Sequence, residues 1–239
     1  MSGTNVDGIN ADLSELRVNY KTDPINEWSL PSLDPIRWFD IWFNQARADP
    51  DLSYEEINAV VLSTVSPDNK PSSRMVLLKA YGNDGFQIFT NYNSQKGRDL
   101  ENNANAAILV YWAKFHQQIR IEGKMSKLPD SAADEYWQKR PIDSCASAAA
   151  SEQSSVIGSR DYLLKRLSSI REITPTGHRP ERPKNWGGYI LKPDIMEFWL
   201  GHENRLHDRF RFRHEEPNEK RSAVTHKGEK GWVFERLAP

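Results

Sequence analysis

Residues 59–90 read AVVLSTVSPDNKPSSRMVLLKAYGNDGFQIFT, and they decide the fold. Three short runs, 59–65, 73–80 and 86–90, are rich in β-branched and apolar residues. Pro67-Asp68-Asn69-Lys70 and Gly82-Asn83-Asp84-Gly85 separate them. Both separators have tight-turn compositions, and short strands joined by such turns pair antiparallel. A parallel pair would need a crossover of a dozen residues or more, and there is no room for one.

Outward from this meander, the N-terminal side supplies a helix. Asp34-Pro35 is an N-cap followed by proline at the first helical position, and Ile36, Phe39, Trp42, Phe43 and Ala46 mark one face. Residues 1–30 are polar, are punctuated by Pro24 with Pro31 just beyond, and read as a mobile arm or lid. Residues 31–239 read as a single domain. On the C-terminal side, Ser94 caps a short helix to about Asn102, and strands follow at 106–112 and 117–128. Helices are expected at 130–139, stopped by Pro141, and at 160–171. Residues 173–184, with three prolines, form a loop. Strands return at 187–191, 196–200, 205–213 and 232–237, with a polar excursion at 214–231. Strands, then helices, then strands give an α+β fold with a mostly antiparallel barrel, because closure removes exposed edges. A Rossmann alternation and its Gly-rich phosphate loop are missing.

Composition narrows the function classes. The chain has 239 residues, 38% hydrophobic and 27% charged, with a formal net charge of −1. No global basic field favours nucleic acid. No run approaches the ~18 apolar residues that span a bilayer, and residues 1–26 lack the apolar core of a secretory signal. A cytoplasmic protein is expected. The one cysteine, Cys145, cannot form an internal disulfide and reads as a packed thiol in a run of small residues. The six histidines show no zinc-type spacing, so no metal is expected.

Candidate chemistry is concentrated in a few places. Arg205, His207 and Arg209, continued by Arg211 and Arg213, fall on one face if 205–213 is a strand, with Leu206, Asp208 and Phe210 on the other. Such a face suits an anion, since guanidinium presents a fixed fork to phosphate; the alternative is a charged, solvated edge. Arg74 and Lys79 bracket an apolar strand. Ser94-Gln95-Lys96-Gly97-Arg98 opens a helix, where free N–H groups and a partial positive charge favour phosphate. Tyr136 and Arg140 share a helix face. Gln153-Ser154-Ser155 places an amide and two hydroxyls in a loop. Gln118 shares a strand face with Arg120 and Glu122, and Trp199 could wall a flat ring or simply fill the core.

Ten segments occur together in order: RMVLLK (74–79), FTN (89–91), SQKG (94–97), QIRIEG (118–123), Tyr136 with Arg140-Pro141, QSS (153–155), WGGY (186–189), EFW (197–199), NRLHDR (204–209) and ERLAP (235–239). Together they resemble the pyridoxine (pyridoxamine) 5′-phosphate oxidase family, flavin enzymes that make pyridoxal 5′-phosphate. The resemblance implies an FMN-binding split β-barrel, Greek-key-like with flanking helices, in a homodimer with active sites at the interface. It implies FMN contacts at Arg74, Met75, Val76, Leu77, Phe89, Thr90, Lys96, Gln118, Gln153, Ser154, Trp199 and Arg209. Substrate phosphate contacts would fall on Lys79, Tyr136, Arg140 and Ser144. Arg205 and His207 would stand beside the pyridine ring as the catalytic pair, with Arg17 and Tyr20 closing over it. The implied reaction is hydride transfer from substrate C4′ to flavin N5, with dioxygen as final acceptor and hydrogen peroxide as product.

Two places depart from the pattern that the resemblance implies. Gln95 stands where the family usually has arginine, and Cys145-Ala146-Ser147-Ala148 replaces Gln-Ile-Gly-Ala after the phosphate-binding serine. Two rival readings share the barrel. One is a non-catalytic flavin or pyridoxal phosphate binder, and the other a split-barrel reductase of another substrate, such as a nicotinamide or a haem. A flavin-only binder has no need of the substrate grip of Arg205, His207, Lys79, Tyr136 and Arg140, and a reductase of another substrate would not need the second phosphate site.

Overall fold

The computed structural model describes residues 12–16 and 19–239, so the expectation placed on Arg17 lies outside the described residues. The meander that decided the class is present as β1 (Ala59–Val65), β2 (Pro71–Leu77), β3 (Ala80–Gly82) and β4 (Gly85–Asn91). After it come α2 (Gln95–Asn102), β5 (Asn105–Trp112) and β6 (Gln117–Lys127), preceded in the chain by α1 (Pro35–Ala48). Three helices follow, α3 (Asp130–Lys139), α4 (Ile142–Ala150) and α5 (Arg160–Ile173). The chain ends with β7 (Trp186–Leu200), β8 (Asp208–His214), β9 (His226–Lys227) and β10 (Trp232–Arg236).

Every pairing is antiparallel. The ladder runs β2-β1-β5-β6-β7-β8-β10-β9, while β4 pairs with both β3 and β7. Following β7-β6-β5-β1-β2 and then the chain itself into β3 and β4 returns to β7. The barrel therefore closes through the covalent β2–β3 connection, and no ladder joins β2 to β4. Period-two burial sends Val60 and Leu62, Ile108 and Val110, and Ile119 and Ile121 into the interior. α1 covers the core. Asp34 caps it by accepting from Ile36 N at 2.9 Å, and Trp38, Phe39, Trp42 and Ala46 are buried. The Trp38 ring stacks on Phe198 at 4.2 Å between centroids and 5° between planes.

Three local expectations are corrected. First, β7 is one continuous strand of 15 residues, where two strands were expected on either side of Pro193. The register shifts between Glu122 and Gly123, opposite Pro193, so the proline sits at a bulge where its missing N–H costs no ladder bond. A Cβ on Gly123 would lie 2.0 Å from Lys192 O, so only glycine permits this approach. Second, Pro141 stops α3 but also stands at the N-cap of α4, an Ala/Ser-rich helix between the two that were expected. Third, the strand expected over 205–213 begins only at Asp208. Asn204 and Arg205 have φ of 56° and 62°, so the chain turns through the left-handed region. Arg209, Arg211 and Arg213 share a face as expected. Arg205 and His207 belong to the preceding turn, and Leu206 is exposed rather than inward.

Candidate functional site

Residues expected to bind the cofactor or substrate gather at two places. The first lies where β4, the start of α2 and the loop after α4 converge. Ser94 caps α2 by accepting from Gly97 N. A Cβ on Gly97 would fall 2.0 Å from Tyr92 O, which explains glycine in the helix's first turn. Lys96 is buried, with Nζ 3.2 Å from Gln153 Oε1 and 3.4 Å from Thr90 Oγ1. Gln95 N donates to Ser154 Oγ at 3.1 Å. Arg74 reaches in from β2, donating to Thr64 Oγ1 at 2.7 Å and Leu62 O at 3.1 Å, with Asp99 Oδ2 at 3.8 Å. Thr64 in turn donates to Asp99 Oδ2 at 2.7 Å.

The charges here do not balance. Two cations and a helix N-terminus face one carboxylate. Burial, and then the Arg74 charge, pull the Lys96 ammonium below its ordinary range, against the attraction of Asp99. An isolated buried cation is costly, and a phosphate dianion at a helix N-terminus would offset it. The residues present therefore fit the phosphate of a mononucleotide. Along the same strand edge Val76 and Leu77 are half-buried, whereas Met75 is exposed.

Beside this cluster is a cleft of about 550 Å³ lined by Phe89, Thr90, Arg140, Ser144, Gln153 and Trp186, among others. Phe89 stacks on Tyr136 at 4.2 Å, and the Arg140 guanidinium lies 5.0 Å from the Trp186 ring centroid. Arg140 Nη2 donates to Ser144 O at 3.3 Å, while its buried Nε has no partner. Tyr136, Arg140 and Ser144 are thus brought together with an unsatisfied donor among them. Lys79 is not brought to them. It lines another cleft, of about 700 Å³, with Phe43, Arg47 and Tyr81. Cys145 is fully buried behind this wall, donating to Trp137 O, and accepts from Arg179.

The second place is the far end of β7. The registers Gln118↔Trp199 and Trp199↔Arg209 set these three side chains in a row across β6, β7 and β8. Trp199, Tyr20, Arg205 and His207 line a pocket of about 280 Å³. The Trp199 and His207 rings are 4.7 Å apart, and Tyr20 meets Trp199 edge-on at 5.9 Å. A Cβ on Gly201 would sit 2.7 Å from the Tyr20 ring, so glycine leaves the space that ring occupies. His207 Nδ1 accepts the His202 backbone N–H at 3.0 Å. Burial first, then the neighbouring His202 and Arg205 charges, hold the His207 imidazole below its ordinary 6.5. Beneath the row, Glu197 accepts from Arg209 and Arg120.

Sequence reasoning missed the supports, Thr64, Asp99 and Glu197. The signal for Glu197 was available: it lies two residues before Trp199 on one strand, hence on the same face, between arginines of both neighbouring strands.

Two family models cover most of the chain. Residues 51–174 match pyridoxamine 5′-phosphate oxidase, and residues 186–239 match the pyridoxine 5′-phosphate oxidase C-terminal dimerisation region. The chain belongs to the pyridoxamine 5′-phosphate oxidase family. This oxidase-family chain is 45% identical over 236 residues to the pyridoxine-5′-phosphate oxidase of Bos taurus, covering 97% of this chain and 89% of the bovine one. It is 40% identical over 232 residues to the pyridoxine/pyridoxamine 5′-phosphate oxidase of Bombyx mori, covering 95% and 90%. Among solved structures, PhzG from Burkholderia lata, in complex with tetrahydrophenazine-1-carboxylic acid, superposes with a TM-score of 0.76 at 28% identity, covering 91% of this chain and 98% of that one. A pyridoxamine 5′-phosphate oxidase-related, FMN-binding protein from Nostoc punctiforme shares the fold, with a TM-score of 0.63 at 17% identity and coverage of 87% and 100%.

Proposed function

We propose that this chain oxidises pyridoxamine and pyridoxine 5′-phosphate to pyridoxal 5′-phosphate, with FMN as cofactor and dioxygen as acceptor, in a homodimer whose active sites each draw on both chains. One observation supports the two-chain site. Trp186 lines the Arg140–Ser144 cleft and Trp199 lines the Arg205–His207 pocket, and the two stand at opposite ends of the single strand β7. Their separation is roughly 40 Å of extended chain, beyond the reach of one mononucleotide and its substrate. A second copy, docked through the C-terminal region that matches a dimerisation model, would bring one chain's cleft to the other's pocket.

In this reading Arg74, Lys96 and the start of α2 hold the FMN phosphate, with Thr90, Gln153 and Ser154 completing its hydrogen bonds. Met75, Val76, Leu77 and Phe89 flank the cofactor, and the Gln118–Trp199–Arg209 row comes from the other chain. Tyr136, Arg140 and Ser144 grip the substrate phosphate, and Lys79, which lines a separate cleft of its own chain, would join them only from the second copy. When bound, FMN would supply the acceptor for the hydride from substrate C4′, with dioxygen as the final acceptor giving hydrogen peroxide; the alcohol substrate loses its hydroxyl proton to give the aldehyde directly, whereas the amine gives an imine that water hydrolyses with release of ammonia. Arg205 holds the pyridine ring in register and favours negative charge developing on it. Burial and the neighbouring His202 and Arg205 charges disfavour the charged form of His207. Its Nδ1 is occupied as an acceptor, so the proton resides on Nε2, the atom free to donate to substrate. Tyr20 shields the ring from water, and Arg17 would act with it.

The test is the visible spectrum of protein purified without added flavin, then mixed anaerobically with each of the two vitamers, pyridoxamine 5′-phosphate and pyridoxine 5′-phosphate. Bleaching of a yellow protein that recovers on aeration is the expected result. A yellow protein that stays yellow with both vitamers would overturn the substrate assignment and leave the binder or another reductase.

A further inference from the structure

Resting on that reading, we propose that His202 is a positioning residue that pins the 20–25 segment over the Arg205–His207 pocket and so sets substrate affinity. His202 stands at the edge of that pocket, but both of its ring nitrogens are committed elsewhere. Nε2 lies 2.6 Å from Asp208 Oδ2. Nδ1 lies 2.7 Å from Thr22 Oγ1 and 3.1 Å from Thr22 O. The Thr22 hydroxyl also donates to Gly201 O. Its single proton is therefore used there, and it meets the imidazole as an acceptor.

The same carboxylate completes the pin. Asp208 Oδ2 accepts from Ile25 N at 2.7 Å, and Arg236 binds Oδ1 and donates to Ile25 O at 2.6 Å. One imidazole thus ties Thr22 to Asp208, and Asp208 ties Ile25 to the sheet. Tyr20, two residues before Thr22, is thereby held over Trp199 and His207. The link from His202 to His207 is different in kind: it uses the main-chain N–H of His202, which any residue at 202 except proline supplies. Replacing the side chain therefore cuts the pin and spares the orientation of His207.

The experiment uses the FMN-loaded protein. Limited trypsin cleavage after Lys21, read by mass spectrometry as a new N-terminus at Thr22, should quicken about tenfold in H202A, the factor expected for one lost charge-assisted hydrogen bond. KM for pyridoxamine 5′-phosphate should rise by about the same factor, with kcat within about twofold and flavin absorbance unchanged. H202Q, whose amide can still donate to Asp208, should recover most of both. T22V tests the pin from the segment's side if H202A fails to fold, with the same quickening expected. Cleavage at the wild-type rate in either folded variant overturns the pin. Faster cleavage with unchanged KM overturns the positioning role. Cleavage needs no substrate, so quickened cleavage in a chain that oxidises neither vitamer would sustain the pin while refuting the assigned reaction.

Discussion

Arg209 donates from Nε to Glu197 Oε1 at 2.8 Å, and the carboxylate that receives it is 5% exposed and braced from the opposite strand by Arg120. A guanidinium in the Gln118–Trp199–Arg209 row is thus aimed by a buried acid on the same face. Glu197→Gln keeps the shape and loses the charge. It should lower stability by about 1–3 kcal/mol and loosen FMN about tenfold by freeing Arg209. Denaturant unfolding of apoprotein and a flavin titration check the two effects separately.

The acid limb of stability follows from the same group. Burial alone would push the Glu197 carboxyl up, but Arg209 and Arg120 outweigh it and hold it below 4.5. Asp208 likewise lies below 3.8, as Ile25 N, Arg236 and His202 overcome its burial. Both bind fewer protons folded than unfolded, so their stabilisation is complete above about pH 5 and is lost as pH falls through the folded values. Urea midpoints should drop steeply below pH 4.5, and less steeply in Glu197→Gln. An identical slope in the variant would remove Glu197 from this account.

Gln95→Arg should tighten FMN. Gln95 is exposed at the opening of α2, its amide only 3.3 Å from Ser72 Oγ, and Arg98 is committed to Asn93 O. A guanidinium at position 95 adds a charge-assisted donor beside Lys96, a gain of about tenfold in affinity, read by quenching of flavin fluorescence.

Arg205→Ala should retain FMN and lose turnover by on the order of a hundredfold. It should also move the His207 titration upward towards 6.5, since one of the charges that depress it is gone. Imidazole proton resonances followed against pH report the shift independently of activity.

The barrel was legible because Gly82–Gly85 and the alternation in 59–65 are local signals that tertiary packing does not override. The start of α2 was legible for a similar reason: a serine cap ahead of a polar first turn announces a helix start by itself. Failures came where one residue serves two neighbours. Pro141 ends α3 and begins α4, and only the first role was read. Pro193 looked like a break because the bulge that accommodates it is made by Gly123 on another strand. Arg205 looked strand-like because alternation of Asp208, Phe210 and Phe212 is genuine from 208 onward, and nothing local distinguishes the two left-handed residues before it except Asn204, whose side chain tolerates that conformation. The separation of Lys79 from Tyr136 and Arg140 depends on the circuit of the barrel, which no spacing encodes.

The length of β7 carries a thermodynamic consequence. If each cofactor seat is assembled from opposite ends of two copies of that strand, FMN binds the pair and not the single chain, and mass action then links occupancy to dilution. Flavin should leave the protein more readily at nanomolar than at micromolar chain, and added FMN should shift sedimentation towards the dimer. Cofactor supply and subunit association would be one equilibrium, observed from two sides.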